Sequence, residues 1–166
     1  MSDDGHGTRD LRRALGRFVT GVTVVTILDP EGRLAGLTAN SFTSVCLDPP
    51  MVLVCVNCSA RSYEALVRQR RFAVHILGED QADAAAAFAV HGSERHGICE
   101  WAINARGYAV LRGVLSVLEC RLADEHTAGD HAIVVGAVEH VETATGEGTP
   151  LVYYGGKLFG LGSAAA

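Results

Sequence analysis

Apolar positions along the chain change period several times, and each change predicts an element. Leu11, Leu15 and Phe18 recur at helical spacing after Thr8, a good N-cap, so a short amphipathic helix is expected over residues 9–18. Residues 1–8 are polar and read as a disordered tail. From Gly21 to Leu28 the chain turns β-branched, and Asp29-Pro30-Glu31-Gly32 is a turn signal. Residues 21–28 therefore predict a strand that pairs as a hairpin with 33–38. The two prolines of Asp48-Pro49-Pro50 exclude a continuing helix there. Residues 51–56 are apolar at every position, which predicts a strand covered on both faces, by a barrel or by a subunit interface.

The second half repeats this alternation. Residues 60–70 read as a helix with Ser59 as N-cap, 72–77 as a strand, and 79–90 as an alanine-rich helix with acidic residues in its first turn. Residues 91–112 read as irregular. Beyond Gly113, Leu118, Cys120 and Leu122 alternate with Glu119 and Arg121, the mark of a half-buried antiparallel strand. Thr127-Ala128-Gly129-Asp130 turns the chain into a strand over 131–141, and 151–154 ends the sheet. No repeat or linker divides the chain. The expectation is one domain over residues 9–166, mainly β with about three flanking helices, most economically a closed or partly closed antiparallel barrel.

Composition narrows the function. The 166 residues are 48% hydrophobic and 20% charged, with 14 Lys+Arg against 19 Asp+Glu for a net charge of −5. That balance offers no footprint for nucleic acid. The longest apolar run is far short of the roughly 18 residues a bilayer crossing needs. The polar, acidic opening from Met1 to Asp10 is unlike a signal or transit peptide, so a cytoplasmic protein is expected. Of the five cysteines, Cys55 and Cys58 form a CxxC without a second pair. Cys55 still belongs to the apolar strand, so small buried hydrophobes are favoured over a zinc site or a redox dithiol. His91 and His96 lie in a loop with no usual ligand spacing, and no metal is expected.

Neither a Rossmann glycine fingerprint nor a Walker loop, a zincin helix or a nucleophile elbow is present. Three polar clusters remain. Thr38-Ala39-Asn40-Ser41 offers uncharged donors and acceptors suited to a heteroaromatic ring edge, or else a turn whose side chains bond their own backbone. Asn57-Cys58-Ser59-Ala60-Arg61-Ser62 joins a strand end to a helix start, either a phosphate cradle or a capped helix with a solvated arginine. In Gly129-Asp130-His131 the carboxylate either fixes the imidazole tautomer so that the other nitrogen faces a ligand, or the histidine is an ordinary strand-edge residue.

These clusters, in order, resemble one family. Arg17-Phe18-Val19-Thr20-Gly21-Val22-Thr23-Val24-Val25-Thr26, Gly36-Leu37-Thr38-Ala39-Asn40-Ser41-Phe42-Thr43-Ser44, Asp48-Pro49-Pro50, Arg71-Phe72-Ala73-Val74, Gly129-Asp130-His131 and Pro150-Leu151-Val152-Tyr153-Tyr154 are similar to the short flavin reductases. Those are NAD(P)H:flavin oxidoreductase components that supply two-component monooxygenases. The resemblance implies a split, Greek-key, FMN-binding type of barrel that forms a homodimer. It implies that Thr38, Ala39, Asn40 and Ser41 contact the isoalloxazine edge and ribityl chain of FMN or FAD. Val56, Asn57, Ser59 and Ser62 would lie along ribityl and phosphate, and Tyr154 at the flavin mouth. His131, with Asp130, would border the nicotinamide of NADH or NADPH. His75 stands where relatives often carry asparagine, and Gly155-Gly156 where many carry an arginine before the glycine.

The reaction that follows is hydride transfer from nicotinamide to flavin, with reduced flavin passed to a partner monooxygenase. Its reactivity belongs to the two rings, and the protein's task is to stack and orient them. Two alternatives use the same barrel: a non-catalytic flavin-binding electron carrier or sensor, and a scaffold that binds no flavin.

Overall fold

The computed structural model describes residues 5–90, 97–146 and 148–161. Residues 1–4 of the expected tail and the His91–His96 loop lie outside it. In chain order the elements are α1 (Gly5–Leu15), β1 (Thr20–Gly21), β2 (Thr23–Leu28), β3 (Leu34–Ala39), β4 (Thr43–Leu47), β5 (Pro50–Asn57), α2 (Arg61–Gln69) and β6 (Arg71–Ile76). A 3-10 turn (Glu79–Gln81) leads into α3 (Ala82–Ala89), β7 (Trp101–Ile103), β8 (Ala109–Leu111), β9 (Ser116–Ala128), β10 (His131–Thr143), β11 (Leu151–Tyr154) and β12 (Lys157–Gly160). Among the described residues no helix is long and apolar enough to cross a membrane.

Seven strands form one sheet in the order β3-β2-β6-β9-β10-β5-β4, and every pairing in it is antiparallel. The sheet curls until the link that follows β3 meets β5. There the Cys55 N–H donates to Ser41 Oγ at 3.0 Å, and the hydroxyl donates to the Cys55 carbonyl at 3.3 Å. The architecture is mainly β, a split antiparallel barrel with three helices. A smaller sheet, β1-β11-β12, and the β7–β8 hairpin stand beside it.

Two cores explain which faces are covered. Inside the barrel Val25, Ile27, Val54, Phe72, Leu122 and Val134 pack together, and α2 plugs one end with Ala65 and Leu66. Outside it Val22, Val24, Leu77, Phe88, Leu111 and Leu151 form a second cluster beneath α3 and the β7–β8 hairpin. The strands covered on both faces within the chain are thus β2 and β6. In β5, Val52, Val54 and Val56 are buried, whereas Met51, Leu53 and Cys55 on the other face are only half-buried in the single chain.

Close approach seats α3. A Cβ at Gly36 would lie 2.6 Å from the Val25 carbonyl oxygen and 2.7 Å from the Phe88 ring, so only glycine lets that ring lie on β3. On the same strand Thr38 Oγ1 donates to the Ala85 carbonyl at 2.6 Å. Within the outer cluster His75 is fully buried, its Nδ1 3.0 Å from the Val24 carbonyl, and the Leu111 N–H donates to its Nε2 at 3.2 Å. A carbonyl only accepts and an amide only donates, so the ring is held as the neutral Nδ1–H tautomer. Burial pushes its pKa down to about 4.

The segment expected to be irregular is pinned by a buried carboxylate. Glu119 accepts from Arg106 Nε (2.6 Å) and Nη2 (2.8 Å) and from Asn104 Nδ2 (2.6 Å). The Arg106 hydrogen bonds hold the Glu119 carboxyl below the usual range, against the opposing effect of burial. Arg71 stacks over the Tyr108 ring at 4.3 Å, a cation–π contact that closes the same loop.

Local signals set the boundaries less well. Helix α1 begins at Gly5, inside the stretch read as tail, and ends at Leu15, where Gly16 bonds back to the Arg12 carbonyl at 2.9 Å. Helix α2 begins at Arg61 with Ala60 as N-cap, because the Ser59 hydroxyl is engaged elsewhere. Strands β4, β7, β8 and β12 were not expected. Each is short, and only its partner strand makes it a strand.

Candidate active site

Residues from the three polar clusters meet at the C-terminal end of β5. Ser41 binds the backbone of Cys55 on one side, through the pair of hydrogen bonds that brings the sheet edges together. On the other side β10 pairs antiparallel with β5 in a register that sets His131 opposite Asn57 and Ile133 opposite Cys55. The Cys58 N–H then donates to the Asp130 carbonyl at 2.9 Å, fastening the loop after β5 to the β9–β10 turn. That turn is a two-residue hairpin between Ala128 and His131, and Gly129 takes φ +66°, the left-handed conformation such turns demand.

Within the turn His131 Nδ1 lies 2.7 Å from Asp130 Oδ1. A carboxylate accepts only, so Nδ1 carries the proton and Nε2 is left as the nitrogen free to face a ligand. The His131 hydrogen bond holds the Asp130 carboxyl below its ordinary range. The imidazole is about half exposed, with 45% of its side-chain surface open.

The loop after β5 is closed by its own asparagine. Asn57 Oδ1 accepts from the Ser59 N–H at 2.8 Å and from the Ser59 hydroxyl at 2.6 Å. No side-chain cap hydrogen bond closes the start of α2. The first turn of that helix, with Ser59 exposed before it and Ser62 buried within it, is the feature suited to an anion.

The remaining candidates sit differently. The Thr38 hydroxyl is spent on the Ala85 carbonyl, and the Ala39 carbonyl accepts from Thr23 Oγ1 at 2.8 Å; the Asn40 side chain next to them is exposed. Val56 turns its side chain into the barrel core, so its backbone is all it offers a ligand. Tyr154 stands apart on β11, where Arg17 Nη1 donates to its hydroxyl at 3.3 Å. Cys58 was not singled out for its amide, because a backbone N–H leaves no mark in a sequence. Cys120 is buried, and burial pushes its thiol up to about 12.

The donor set is uncharged around Ser41 and Asn40, anion-friendly at the start of α2, and carries one oriented imidazole. Such a set fits a flavin with its phosphate beside a second, nicotinamide ring.

The family model described as "Flavin reductase like domain" matches residues 15–162. The chain is 44% identical over 154 residues to the FMN reductase (NADH) SmoA of Agrobacterium fabrum, covering 93% of this chain and 86% of that protein. It is 39% identical over 151 residues to the reductase component of the flavin-dependent trigonelline monooxygenase of Acinetobacter baylyi, covering 91% of this chain and 48% of that one. The chain thus spans about half the length of some of the curated relatives it matches. Among solved structures, the NADH:FAD oxidoreductase SgcE6 of Streptomyces globisporus, in complex with NAD and FAD fragments, superposes with a TM-score of 0.86 at 34% identity, covering 95% of this chain and 94% of that one. The chain belongs to the flavin reductase-like domain family.

Proposed function

We propose that this member of the flavin reductase-like family is an NAD(P)H-dependent flavin reductase, transferring hydride from NADH or NADPH to FMN or FAD. The single observation that carries the reading is the convergence of Ser41, Asn57 and His131 on the end of β5. When bound, the flavin accepts hydride from the nicotinamide, chemistry intrinsic to the two rings. Asn40 and Ser41 would hold the ring edge, and the Ser59–Ser62 segment the phosphate. Asp130 fixes the His131 tautomer, so that Nε2 presents an acceptor toward the nicotinamide carboxamide. The work of these residues is binding and orientation, not acid–base chemistry.

Relatives named as reductase components of flavin-dependent monooxygenases support a partner monooxygenase that takes up the reduced flavin. A cytoplasmic location suits an enzyme fed by NADH. The half-buried outer face of β5 and β10, with Met51, Leu53, Ile133 and Val135, supports pairing of two copies as a homodimer. The test is NADH oxidation followed at 340 nm with and without FMN, FAD or riboflavin. Flavin-dependent oxidation is the expected result. A folded protein that stays yellow and ignores both nicotinamide nucleotides would instead be a flavin-binding carrier.

A further inference from the structure

Arg17, Tyr154 and Lys157 form a cluster apart from the residues that converge on the end of β5. The β11–β12 hairpin turns through Gly155 and Gly156, at φ +59° and +82°, so Tyr154 and Lys157 stand opposite each other on one face of the ribbon. Arg17 reaches the same ring from the segment after α1, its Nη1 donating to the Tyr154 hydroxyl at 3.3 Å. The hydroxyl accepts there and keeps its own proton to give. All three residues are exposed. A Cβ on either turn glycine would meet nothing within 4 Å, so the surface around the turn is open.

Their charges distinguish these residues from the other basic groups of the barrel. Arg33, Arg68, Arg106 and Arg121 each pair with a carboxylate. Among the described residues Arg17 and Lys157 make no ion pair. Lys157 is also the only lysine in a chain of net charge −5. Two unpaired cations beside a tyrosine ring suit a phosphate carried on a flat base, the cations taking the anion and the ring stacking on the base.

Position ties the cluster to the candidate active site. Strands β1 and β11 pair with Thr20 opposite Tyr153, and β1 leads into β2. At the head of β2 the Thr23 hydroxyl donates to the Ala39 carbonyl, next to Asn40 and Ser41. Three residues, at most about 10 Å of extended chain, separate Thr20 from Thr23. A ring seated against Asn40 and Ser41 therefore has Tyr154 within reach of the far end of a dinucleotide.

We propose that Arg17, Tyr154 and Lys157 form a subsite for the adenylate arm of a dinucleotide substrate. The base lies on the Tyr154 ring, and the phosphates meet the two cations and the Tyr154 hydroxyl. The inference rests on the flavin reductase reading and names the part of its substrates that this cluster takes. FAD and NAD(P)H both carry such an arm, whereas FMN and riboflavin carry none.

The test compares wild type with an Arg17→Gln/Lys157→Gln double variant and with Tyr154→Leu, each shown to be folded by circular dichroism and cooperative thermal unfolding. ADP, the arm alone, is titrated into each by calorimetry, and KM is measured for FMN, FAD and NADH. ADP is expected to bind wild type with an affinity that falls as salt rises, and to bind the double variant more weakly by roughly fivefold for each exposed cation removed. Tyr154→Leu is expected to weaken it as well, through the lost stacking surface. A KM for NADH that rises with FMN as acceptor assigns the subsite to the nicotinamide nucleotide. A KM for FAD that rises while that for NADH holds assigns it to the flavin. ADP that binds all three proteins alike, or does not bind wild type, overturns the proposal, as do unchanged KM values for all three substrates. A wild type that binds ADP in this manner but oxidises no NADH with any flavin overturns the reductase reading and leaves the subsite standing.

Discussion

Asn57 and His131 face each other across the β5–β10 ladder, and one residue further on the Cys58 N–H holds the Asp130 carbonyl at 2.9 Å. The loop suited to a phosphate and the imidazole suited to a nicotinamide are thereby parts of one rigid unit. Shifting either backbone without the other would require breaking the ladder at its end.

His131→Ala removes the oriented acceptor while leaving the loop after β5 in place. The KM for NADH is expected to rise, or kcat to fall, by roughly tenfold, the worth of one hydrogen bond, with little change in flavin affinity. Steady-state kinetics with each substrate varied in turn checks this. Equal constants for variant and wild type would return His131 to a turn residue.

Asn57→Asp would put a carboxylate where Asn57 Oδ1 now gathers the Ser59 N–H and hydroxyl. A negative charge beside the start of α2 competes with a phosphate at a cost of about 1 kcal/mol for an exposed pair, or roughly fivefold in affinity. The KM for FMN should rise by that factor while that for riboflavin, which has no phosphate, stays put. Parallel rises for both flavins would place the phosphate elsewhere.

His75 gives the fold an acid sensitivity of known direction. Its folded pKa is lowered from 6.5 to about 4 because burial disfavours the imidazolium. As pH falls the unfolded chain takes up the proton first, so the contribution is complete above about 6.5 and is lost progressively toward about 4. The gap corresponds to roughly 3 kcal/mol. Urea unfolding of His75→Asn across that window should show a smaller loss than wild type, and a lower midpoint at pH 8 because the Leu111 N–H loses its acceptor. Parallel pH profiles for the two proteins would show that His75 is not the source of the acid sensitivity.

Gly36→Ala places a methyl 2.6 Å from the Val25 carbonyl oxygen, which belongs to the backbone and yields little. Overpacking of this kind costs about 1–3 kcal/mol, so the urea midpoint should fall with the slope unchanged. An unshifted midpoint would mean that α3 can slide off β3 without loss.

The local code was readable where chemistry acts over a few residues. Gly129 and Asp130 announce a tight hairpin whatever surrounds them, and the alternation of Leu118, Cys120 and Leu122 announces a half-buried strand. The order of the three polar clusters was equally plain, as was the mainly β class. Helix ends were less legible, because Ser59 looks like a cap until Asn57 takes its hydroxyl.

Tertiary structure alone decided which faces are covered and which clusters meet. An apolar strand does not state how many of its faces find partners: within one chain β2 and β6, between the barrel interior and the layer under α3, are covered on both, whereas the outer face of β5 is only half-buried. The pairing of Glu119 with Arg106 and the burial of His75 depend on where the segment around β7 and β8 folds back. Ser41, Asn57 and His131 are dispersed along the chain and become neighbours only through the curl of the sheet and the β5–β10 register. Local propensity acts through bonds to near neighbours, whereas register and closure are settled by the summed burial of a whole sheet, and a single segment cannot encode that sum.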